Sequence, residues 1–423
     1  MLQLNYIREN TKEVIDRLAV KNFNGAVIIP QVVELDNKRR NIQAELESLL
    51  AQANAIAKQV GELFKSGKAA EANDLKNKSA AIKETTKDLQ EELNKTEEEI
   101  KGFLYQIPNL PHSSVPKGKT PEDNEIVHQE GSIPVLDAAA LPHWELAKKY
   151  DIIDFELGVK ITGAGFPVYK GKGSRLQRAL INFFMDEAVK AGYTEYQPPL
   201  LVNEASGFGT GQLPDKEGQM YHVGIDNFYL IPTAEVPVTN IHRDMIYKAE
   251  DFPIKNTAYT QCFRREAGSY GKDVRGLNRL HQFDKVEIVQ IQHPDRSYET
   301  LEAMVEYVKV LLRKLELPFR VLRLCGGDMS FASALTYDFE VYSAAQQKWL
   351  EVSSVSNFES FQCNRLKLRF KEGDSKPQLA HTLNGSALAL PRIVASLLEN
   401  NQTKDRIKIP KELITYCGYD YIN

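Results

Sequence analysis

The sequence predicts an α+β protein, with a large domain built on a mostly antiparallel sheet and a long antiparallel helical hairpin before it. Residues 30–107 have the composition of long helices, with no proline between Pro30 and Pro108. From about residue 140 onward, helical patterns mix irregularly with alternating strand-like runs, unlike the βαβα order of a parallel sheet. At 423 residues the chain exceeds what one hydrophobic core normally supports, so we expect two or three domains.

Composition is that of a globular protein, with 42% hydrophobic and 26% charged residues. No apolar run is long enough to cross a bilayer, and the start of the chain lacks the features of a secretory signal, so we expect a cytoplasmic protein. The net charge of -4 does not by itself indicate a nucleic-acid partner. Neither zinc nor a disulfide framework is expected from the widely separated cysteines. They are Cys262, Cys325, Cys363 and Cys417.

The helical hairpin is predicted from two heptad seams. The seam of the first helix consists of Leu35, Ile42, Leu46, Leu49, Ala53, Ile56, Val60 and Leu63. After a break at Gly61–Gly67, the second consists of Leu75, Ile82, Leu89, Leu93, Ile100, Phe103 and Ile107. Helices joined by a short turn run antiparallel, and about 30 residues extend about 45 Å, so the pair should project as an arm.

The arm and its flanks indicate the domain organisation. A short amphipathic helix is predicted at 10–20, and a segment rich in Pro, Gly, His and Asp at 107–132 reads as a boundary. We therefore predict an N-terminal domain at 1–110 and a second domain at 111–423. Lysines gather near the tip of the arm, where a solvated face is sufficient to explain them. They are Lys58, Lys65, Lys68, Lys76 and Lys78.

The segment from Tyr259 to Gln292 is the most informative, because two strand-like runs flank a loop rich in glycine and arginine. Strand alternation predicts that Arg264 and Glu266 share one face of the first strand. It places three residues on one face of the second strand: Phe283, Lys285 and Glu287. Taken singly, a cross-strand ion pair would explain Arg264 and Glu266, and core packing would explain Phe283.

Taken together, these residues resemble the second signature motif of class II aminoacyl-tRNA synthetases in its seryl form. The motif elements are Arg264, Glu266, Arg275-Gly276-Leu277 and His281-Gln282-Phe283. The resemblance implies that Arg264 is catalytic and binds the α-phosphate of ATP, in a segment that includes Arg265 and Glu266, and that Phe283 stacks on adenine. A planar guanidinium suits this task, because it can hold the phosphate oxygens on which charge develops.

A second stretch, His381–Ser386 followed by Arg392, resembles the third class II motif. It implies that Arg392 is also catalytic, covering the other face of adenine beside the γ-phosphate; standing alone, it would be read as an arginine on a helix surface. Ala387 stands where the family often has glycine, and Pro391 directly precedes the arginine. Because proline is tolerated only in the first turn or at a kink, the helix start is predicted only to within a few residues.

Residues 351–354 resemble the family's strand that binds ATP and Mg²⁺. The ATP-binding residues implied are Glu351, Val352, Ser353 and Ser354. Glu351 and Ser354 would hold the Mg²⁺ that bridges the phosphates, since magnesium prefers hard oxygen ligands. The two residues have opposite parity, so we predict a bulge or a strand end near Ser354. Without the resemblance, a solvent-facing polar edge would explain the segment.

The resemblance also implies a pocket for serine. Its residues are Thr233, Ala234, Glu235, Glu287, Asn384 and Ser386. Glu287 is expected to accept the serine hydroxyl, and a buried carboxylate left without that partner would reject alanine or glycine. A purely structural buried carboxylate is the alternative for Glu287.

The family resemblance extends to partners. Gly192–Pro199 is similar to the first class II motif, which lies at a homodimer interface, although a strand ending in Pro-Pro is also common. In the family the arm of one subunit grips the long variable region of tRNA(Ser) docked at the other subunit; tRNA(Sec) is a further candidate. The resemblance covers nearly the whole chain, including Pro108–His112 and Gly211–Pro214, but Asn364 replaces the first of two arginines usual in the family.

The function expected is ATP-dependent activation of L-serine to seryl-adenylate, followed by transfer of serine to the 3′ end of tRNA, on a six- or seven-stranded antiparallel sheet. A ligase that loads a carrier protein is the second hypothesis, and the arm argues against it. A coiled-coil interaction protein with a degenerate catalytic domain is the third. Retention of Arg264, Glu266, Glu351 and Arg392 argues against the third.

Overall fold

A computed structural model describes residues 1–266 and 275–423 of the chain. They form two compact units, one of residues 1–19 with 23–108 and the other of residues 20–22 with 109–423. The central part of the predicted glycine- and arginine-rich loop, 267–274, lies outside the described residues. None of the helices in the described ranges is both long and apolar enough to cross a membrane.

The N-terminal unit is helical. Its helices are α1 (Leu4–Glu9), α2 (Thr11–Val20), α3 (Gly25–Lys65) and α4 (Ala69–Leu104). The predicted seams face each other: Ile42 and Leu46 of α3 form a buried cluster with Leu93 of α4. Lys38 pairs with Glu92 at 2.8 Å, joining the early part of α3 to the late part of α4. The antiparallel hairpin predicted from the heptads is therefore present.

Two boundaries of the hairpin differ from the prediction. Helix α3 begins at Gly25 and continues through Pro30, although a proline beyond the first turn removes one helical hydrogen bond and its ring crowds the carbonyl of the preceding turn. The turn comprises only 66–68, where Gly67 has a φ of 75°, so Gly61 belongs to the helix. Glycine tolerates the left-handed conformation that such a short connection requires.

A buried carboxylate joins two helices of this unit. Asp36 of α3 is 1% exposed, and its oxygens accept from Arg8 of α1 at 2.6 Å and from Arg39 at 2.8 Å. Burial raises the pKa of Asp36, but the hydrogen bonds from Arg39 and Arg8 outweigh it, so the pKa lies below its usual range. The heptad pattern could not reveal this interaction, because it records only apolar positions.

The second unit contains the remaining described elements. Its helices are α5 (His143–Lys149), α6 (Phe155–Ile161), α7 (Gly171–Lys190), α8 (Glu204–Thr210), α9 (Glu235–Asn240), α10 (Ser297–Lys314), α11 (Phe361–Leu366), α12 (Leu390–Asn400) and α13 (Lys411–Cys417). Its strands are β1 (Glu125–Glu130), β2 (Ile153–Asp154), β3 (Val168–Tyr169), β4 (Thr194–Glu195), β5 (Leu201–Asn203), β6 (His222–Val223), β7 (Phe228–Leu230), β8 (Ile246–Lys248), β9 (Ile254–Phe263), β10 (Gln282–Gln292), β11 (Phe319–Arg323), β12 (Leu335–Ser343), β13 (Lys348–Glu359), β14 (Arg369–Lys371), β15 (Gln378–Leu379), β16 (His381–Ala389), β17 (Ile407–Lys408) and β18 (Tyr421–Ile422).

Within the described residues the central sheet has eight strands, in the order β1-β11-β12-β13-β16-β10-β9-β4. All neighbours are antiparallel except β4 and β9. The α+β class and the mostly antiparallel sheet are confirmed. The expected six or seven strands become eight because β1, from the boundary segment, and the two-residue β4 extend the two edges.

The two faces of this sheet differ in chemistry. One face, with Val286, Phe339 and Leu383, belongs to the main hydrophobic core together with residues of α7, α10 and α12. On the other face, the strand register brings polar residues into line: Glu287 lies opposite Ser386, and Asn384 opposite Ser356. Because side chains of a strand alternate between faces, this second face carries the candidate site.

Candidate active site

A β-bulge in β13 places Glu351 and Ser354 on the polar face. Across β12, Ser354 lies opposite Asp338 and Glu351 lies opposite Glu340. Asp338 and Glu340 are two positions apart in β12 and share a face, whereas their partners in β13 are three positions apart. One residue of β13, near Val352, is therefore extra. The predicted bulge is confirmed, and it resolves the conflict of parity between Glu351 and Ser354.

The Arg264 guanidinium lies over the Phe283 ring, 5.2 Å from its centroid. Its Nε donates to the carbonyl of Pro232 at 3.3 Å. The backbone of Arg264 is held by His281. The Arg264 N–H donates to the His281 carbonyl, and His281 Nδ1 lies 3.0 Å from the Arg264 carbonyl. The arginine and the aromatic ring are therefore positioned together, at a distance typical of a cation–π contact.

Arg264 and Glu266 do not share a strand face, contrary to the prediction. Strand β9 ends at Phe263, and Glu266 has a φ of 49°, outside the extended conformation on which alternation depends. Arg265 is held through its backbone N–H, which donates to Gln219 at 2.8 Å. Glu266 pairs with Arg279 at 2.9 Å. The ion pair considered for Glu266 thus exists, but with a different arginine.

A buried charge pair lies on the polar face of β10. Lys285 Nζ is 2.5 Å from Glu287 Oε2 and donates to Thr233 Oγ1 at 2.8 Å. Thr233 in turn donates to the same Oε2 at 3.1 Å. Glu287 is only 2% exposed and Lys285 6%. Because both contacts use Oε2, Glu287 Oε1 can accept a further hydrogen bond in a site shielded from water.

Glu235 adds a second buried carboxylate to this cluster. It accepts from Gln362 at 2.6 Å and from Gln212 at 3.4 Å. Burial, and next the nearby charge of Glu287, raise the pKa of Glu235 to about 7, although hydrogen bonds and Lys285 oppose the shift. Two carboxylates and one ammonium therefore share the pocket, which favours a ligand with a positive charge.

Three more residues were predicted for the serine pocket. Asn384 and Ser386 lie on β16, next to β10, and Ala234 directly precedes α9. Ser386 lies opposite Glu287, and the side chain of Asn384 hydrogen-bonds Glu235. Both are 8% exposed. Ala234 is buried in an apolar cluster, so its side chain packs and offers no polar contact.

Within the segment 351–354, the side chains of Val352 and Ser353 do not contribute to the polar site. Val352 belongs to the main hydrophobic core, and Ser353 donates through Oγ to the Ser386 carbonyl at 2.6 Å. The Val352 side chain is fixed by packing and the Ser353 side chain by the neighbouring strand, so neither side chain points into the site.

Arg392 is the third residue of α12, which begins at Leu390 with Pro391 in its second position. Proline is favourable in the first turn, where its missing N–H would have no helical partner. Arg392 Nε donates to the Asn278 carbonyl at 3.0 Å, and Nη1 donates to the Glu351 carbonyl at 2.6 Å. The arginine thereby connects the helix start with the bulged strand.

The residues around the bulge could hold a cation. Within the described ranges, the buried Oδ1 of Asp338 has no hydrogen-bond partner. Burial, and next the carboxylate of Glu351, raise the pKa of Asp338 well above its usual range. No cluster of three or more His, Cys, Asp or Glu side chains in the described part of the chain forms a complete metal site. The arrangement suits Mg²⁺, which is commonly held by one or two carboxylates together with substrate phosphates.

Sequence reasoning missed three residues of the pocket: Lys285, Gln362 and Gln212. The first had a signal, because it shares a strand face with Glu287. Gln212 lies in the Gly211–Pro214 segment, to which no role was assigned. Gln362 is oriented by Thr382, which donates to its Oε1 at 2.7 Å, so its amide N–H faces Glu235.

Comparisons with known proteins identify the family of the chain. Residues 221–401 match the family model of the tRNA synthetase class II core domain (G, H, P, S and T), and residues 1–111 match that of the seryl-tRNA synthetase N-terminal domain. The chain is 49% identical over 421 residues to the serine–tRNA ligase of Salinibacter ruber, covering 99% of this chain and 98% of that one.

Solved structures show the same relationship. The seryl-tRNA synthetase of Pyrococcus horikoshii complexed with ATP superposes with a TM-score of 0.93 at 32% identity, covering 100% of this chain and 99% of the other. The cytoplasmic serine–tRNA ligase of Naegleria fowleri in complex with AMP gives 0.88 at 26% identity, with the same coverage.

The antiparallel sheet, with two arginines and a bulged acidic strand on its polar side, is the core that defines class II aminoacyl-tRNA synthetases. The match to the N-terminal domain model and the 49% identity to a serine–tRNA ligase over 99% of this chain narrow the family assignment further. The chain belongs to the seryl-tRNA synthetase family.

Proposed function

We propose that the chain activates L-serine with ATP to form seryl-adenylate and transfers the seryl group to the 3′ end of tRNA. The observation that carries this proposal is the buried cluster in which Thr233 and Glu235 join Lys285 and Glu287 of β10. The neighbouring strand, β9, leads directly into Arg264. The cluster offers a small, anionic, hydrogen-bonding pocket, and Arg264 offers a fixed positive charge. A zwitterionic amino acid and a phosphate complement these two features.

In the first reaction, a serine carboxylate oxygen attacks the α-phosphorus of ATP. The bond from that phosphorus to the bridging oxygen breaks, and pyrophosphate leaves with the electron pair. Arg264 would hold the α-phosphate oxygens as charge develops there, and Phe283 would stack on adenine. Arg392 would cover the opposite face of adenine and contact the γ-phosphate. In the second reaction a hydroxyl of the terminal adenosine attacks the adenylate carbonyl, and AMP leaves.

Glu351 and Ser354 would hold Mg²⁺, because the bulge directs both toward one face and the buried acid Asp338 lies beside them. When bound, the ion supplies positive charge that neutralises the phosphates. The residues themselves orient the nucleotide through these oxygens, and Arg392 connects them to α12. Orientation and charge neutralisation, rather than a side-chain base, account for the rate.

Serine would be recognised at both of its polar ends. Glu287 Oε1 would accept its hydroxyl, while Lys285 and Thr233 hold the other oxygen of that carboxylate. Glu235 would face the ammonium group, with Asn384 and Ser386 lining the pocket. Alanine would leave Glu287 buried without its hydroxyl partner, which is the strong form of discrimination.

The pKa of Glu235 makes serine binding depend on pH. Since the empty pocket raises this pKa to about 7, most Glu235 is neutral at pH 6 and ionised at pH 8. Attraction for the serine ammonium grows as the carboxyl ionises, so KM for serine should fall by up to about tenfold between these two pH values. Glu235→Gln should bind serine weakly at both, with a flat profile. A wild-type KM that is constant or rises with pH would contradict this role.

Partners follow from the family. We propose that residues 1–110 bind tRNA(Ser) through the arm, that tRNA(Sec) is a further substrate, and that residues 111–423 form the catalytic domain. A homodimer would use the segment Gly192–Pro199, where β4 lies at an edge of the sheet. We place the enzyme in the cytoplasm, where tRNA is charged for protein synthesis.

Deleting the arm should separate the two reactions. With residues 35–100 replaced by a short linker, serine-dependent ATP–pyrophosphate exchange should stay within about twofold of the full chain, because the arm contributes no residue to the proposed serine or ATP site. Charging of tRNA should fall by at least about a hundredfold. Equal losses in both assays would refute this division of labour. Thermal melting of the shortened protein would verify that its second unit is folded.

ATP–pyrophosphate exchange across the standard amino acids tests the proposal directly. Exchange that depends on serine, followed by charging of tRNA, is the expected result. Exchange without charging would favour a ligase that loads a carrier protein. No exchange with any amino acid would overturn the enzymatic assignment.

A further inference from the structure

A buried histidine–glutamate pair lies outside the residues assigned to substrates. His143, at the start of α5, and Glu399, near the end of α12, are both 0% exposed. His143 Nδ1 is 2.7 Å from Glu399 Oε1, and the backbone N–H of His143 donates to the same oxygen at 2.9 Å. Glu399 also accepts from Gln346 at 2.9 Å and from Ser343. A buried carboxylate with this many donors is held in one orientation.

The hydrogen bonds determine the tautomer of His143. The backbone N–H of Leu277 donates to Nε2 at 2.8 Å, so Nε2 carries no proton. The proton therefore resides on Nδ1 and is donated to Glu399. The imidazole is therefore held by Glu399 at one nitrogen and holds the backbone N–H of Leu277 at the other.

This backbone group belongs to the segment that follows the undescribed residues. At Gly276, φ is 66°, and a Cβ there would lie 2.2 Å from His143 Nε2, so only glycine permits the close approach. Asn278 is also tied to the network, because its side chain donates to Gln346 at 3.1 Å. Gly276 is therefore packed closely against His143, while Leu277 and Asn278 are each hydrogen-bonded to the network.

The segment leads directly to Arg392. The carbonyl of Asn278 accepts from Arg392 Nε at 3.0 Å, which leaves Nη1 to contact Glu351. A chain of hydrogen bonds thus runs from Glu399 through His143 and the 277–278 backbone to the guanidinium. Glu399 and Arg392 also lie on the same helix, so the network closes on α12.

We propose that His143 and Glu399 are positioning residues that orient Arg392 for the phosphates and adenine of ATP. The inference rests on the proposed function. Buried polar pairs can often be replaced by apolar residues without loss of stability, so stability alone gives no reason for this one. Both ring nitrogens of His143 are used, because Nδ1 donates to Glu399 and Nε2 accepts from Leu277, the residue before the Asn278 carbonyl that holds Arg392. Its effect should therefore fall on ATP and spare serine.

The test measures KM for ATP and for serine separately in the exchange reaction of the full-length protein. His143→Ala leaves the Leu277 N–H without its acceptor, and KM for ATP should rise about tenfold, while KM for serine stays within about twofold. His143→Gln, whose amide can accept from Leu277 and donate to Glu399, should recover most of the loss. Gln346→Ala, at a half-buried position, should raise KM for ATP about threefold and serves if His143→Ala does not fold.

A double-mutant cycle and a matched control complete the experiment. If His143 acts through Arg392, adding H143A to R392A should change KM for ATP by less than about twofold. His242, a similarly buried histidine bonded to Tyr247 and Asn256, supplies the control, since H242A should not alter KM for ATP selectively. Additive effects, equal shifts for both substrates, or an unchanged KM for ATP would overturn the inference alone. No serine-dependent exchange in the unchanged protein would overturn the proposed function as well.

Discussion

Replacing Arg264 with alanine should lower the rate of seryl-adenylate formation by about two to three orders of magnitude. The guanidinium is positioned before ATP binds, by the Phe283 ring and by the Pro232 carbonyl. Its loss would remove the charge that we propose holds the α-phosphate, where negative charge develops during attack. Single-turnover formation of seryl-adenylate, measured with saturating ATP and serine, isolates this chemical step from binding.

Two further variants show which property of Arg264 matters. Arg264→Lys keeps the charge but loses the planar fork and the stacking on Phe283, so it should recover only a small part of the rate. Arg279→Ala, which removes the partner of Glu266 near the same segment, should slow the reaction by less than about tenfold. If R264A and R279A reduced the rate equally, a general disturbance of this segment would be the better explanation. An undiminished rate in R264A would exclude its catalytic role.

Glu287→Gln should abolish the preference for serine. The variant removes the negative charge that we propose faces the serine hydroxyl, and it also leaves the Lys285 ammonium buried without its charged partner. We expect kcat/KM for serine to fall about a thousandfold, and the ratio of serine to alanine activation to approach that of a pocket without hydroxyl recognition. Exchange assays with both amino acids would measure the two quantities.

Stability must be separated from specificity in this experiment. An unpaired buried ammonium costs about 3–5 kcal/mol, so E287Q alone should also melt at a lower temperature. The double variant Lys285→Met with Glu287→Gln removes both charges and should recover much of the stability. Serine selectivity should stay lost in the double variant. Recovery of selectivity together with stability would show that Glu287 is only a structural partner of Lys285, the alternative that its sequence position left open.

The sequence predicted the architecture well, because period and composition are local properties. The heptads of α3 and α4 revealed their shared seam, and the parity conflict between Glu351 and Ser354 was enough to predict a bulge. Alternation failed at Glu266, where a positive φ follows the end of β9 and the regular period no longer applies. A residue just beyond a strand cannot be assigned to a face by counting.

By itself, the sequence determined the helical arm, the mostly antiparallel sheet and the residue types from which the site is built. Only the tertiary structure decided which of them meet. Gln362 and Gln212 reach Glu235 across gaps of 127 and 23 residues, and His143 reaches Glu399 across 256. The physical reason is that strand and helix periods record the orientation of neighbouring side chains, whereas the charges of a buried pocket are balanced between segments that only the folded sheet brings together.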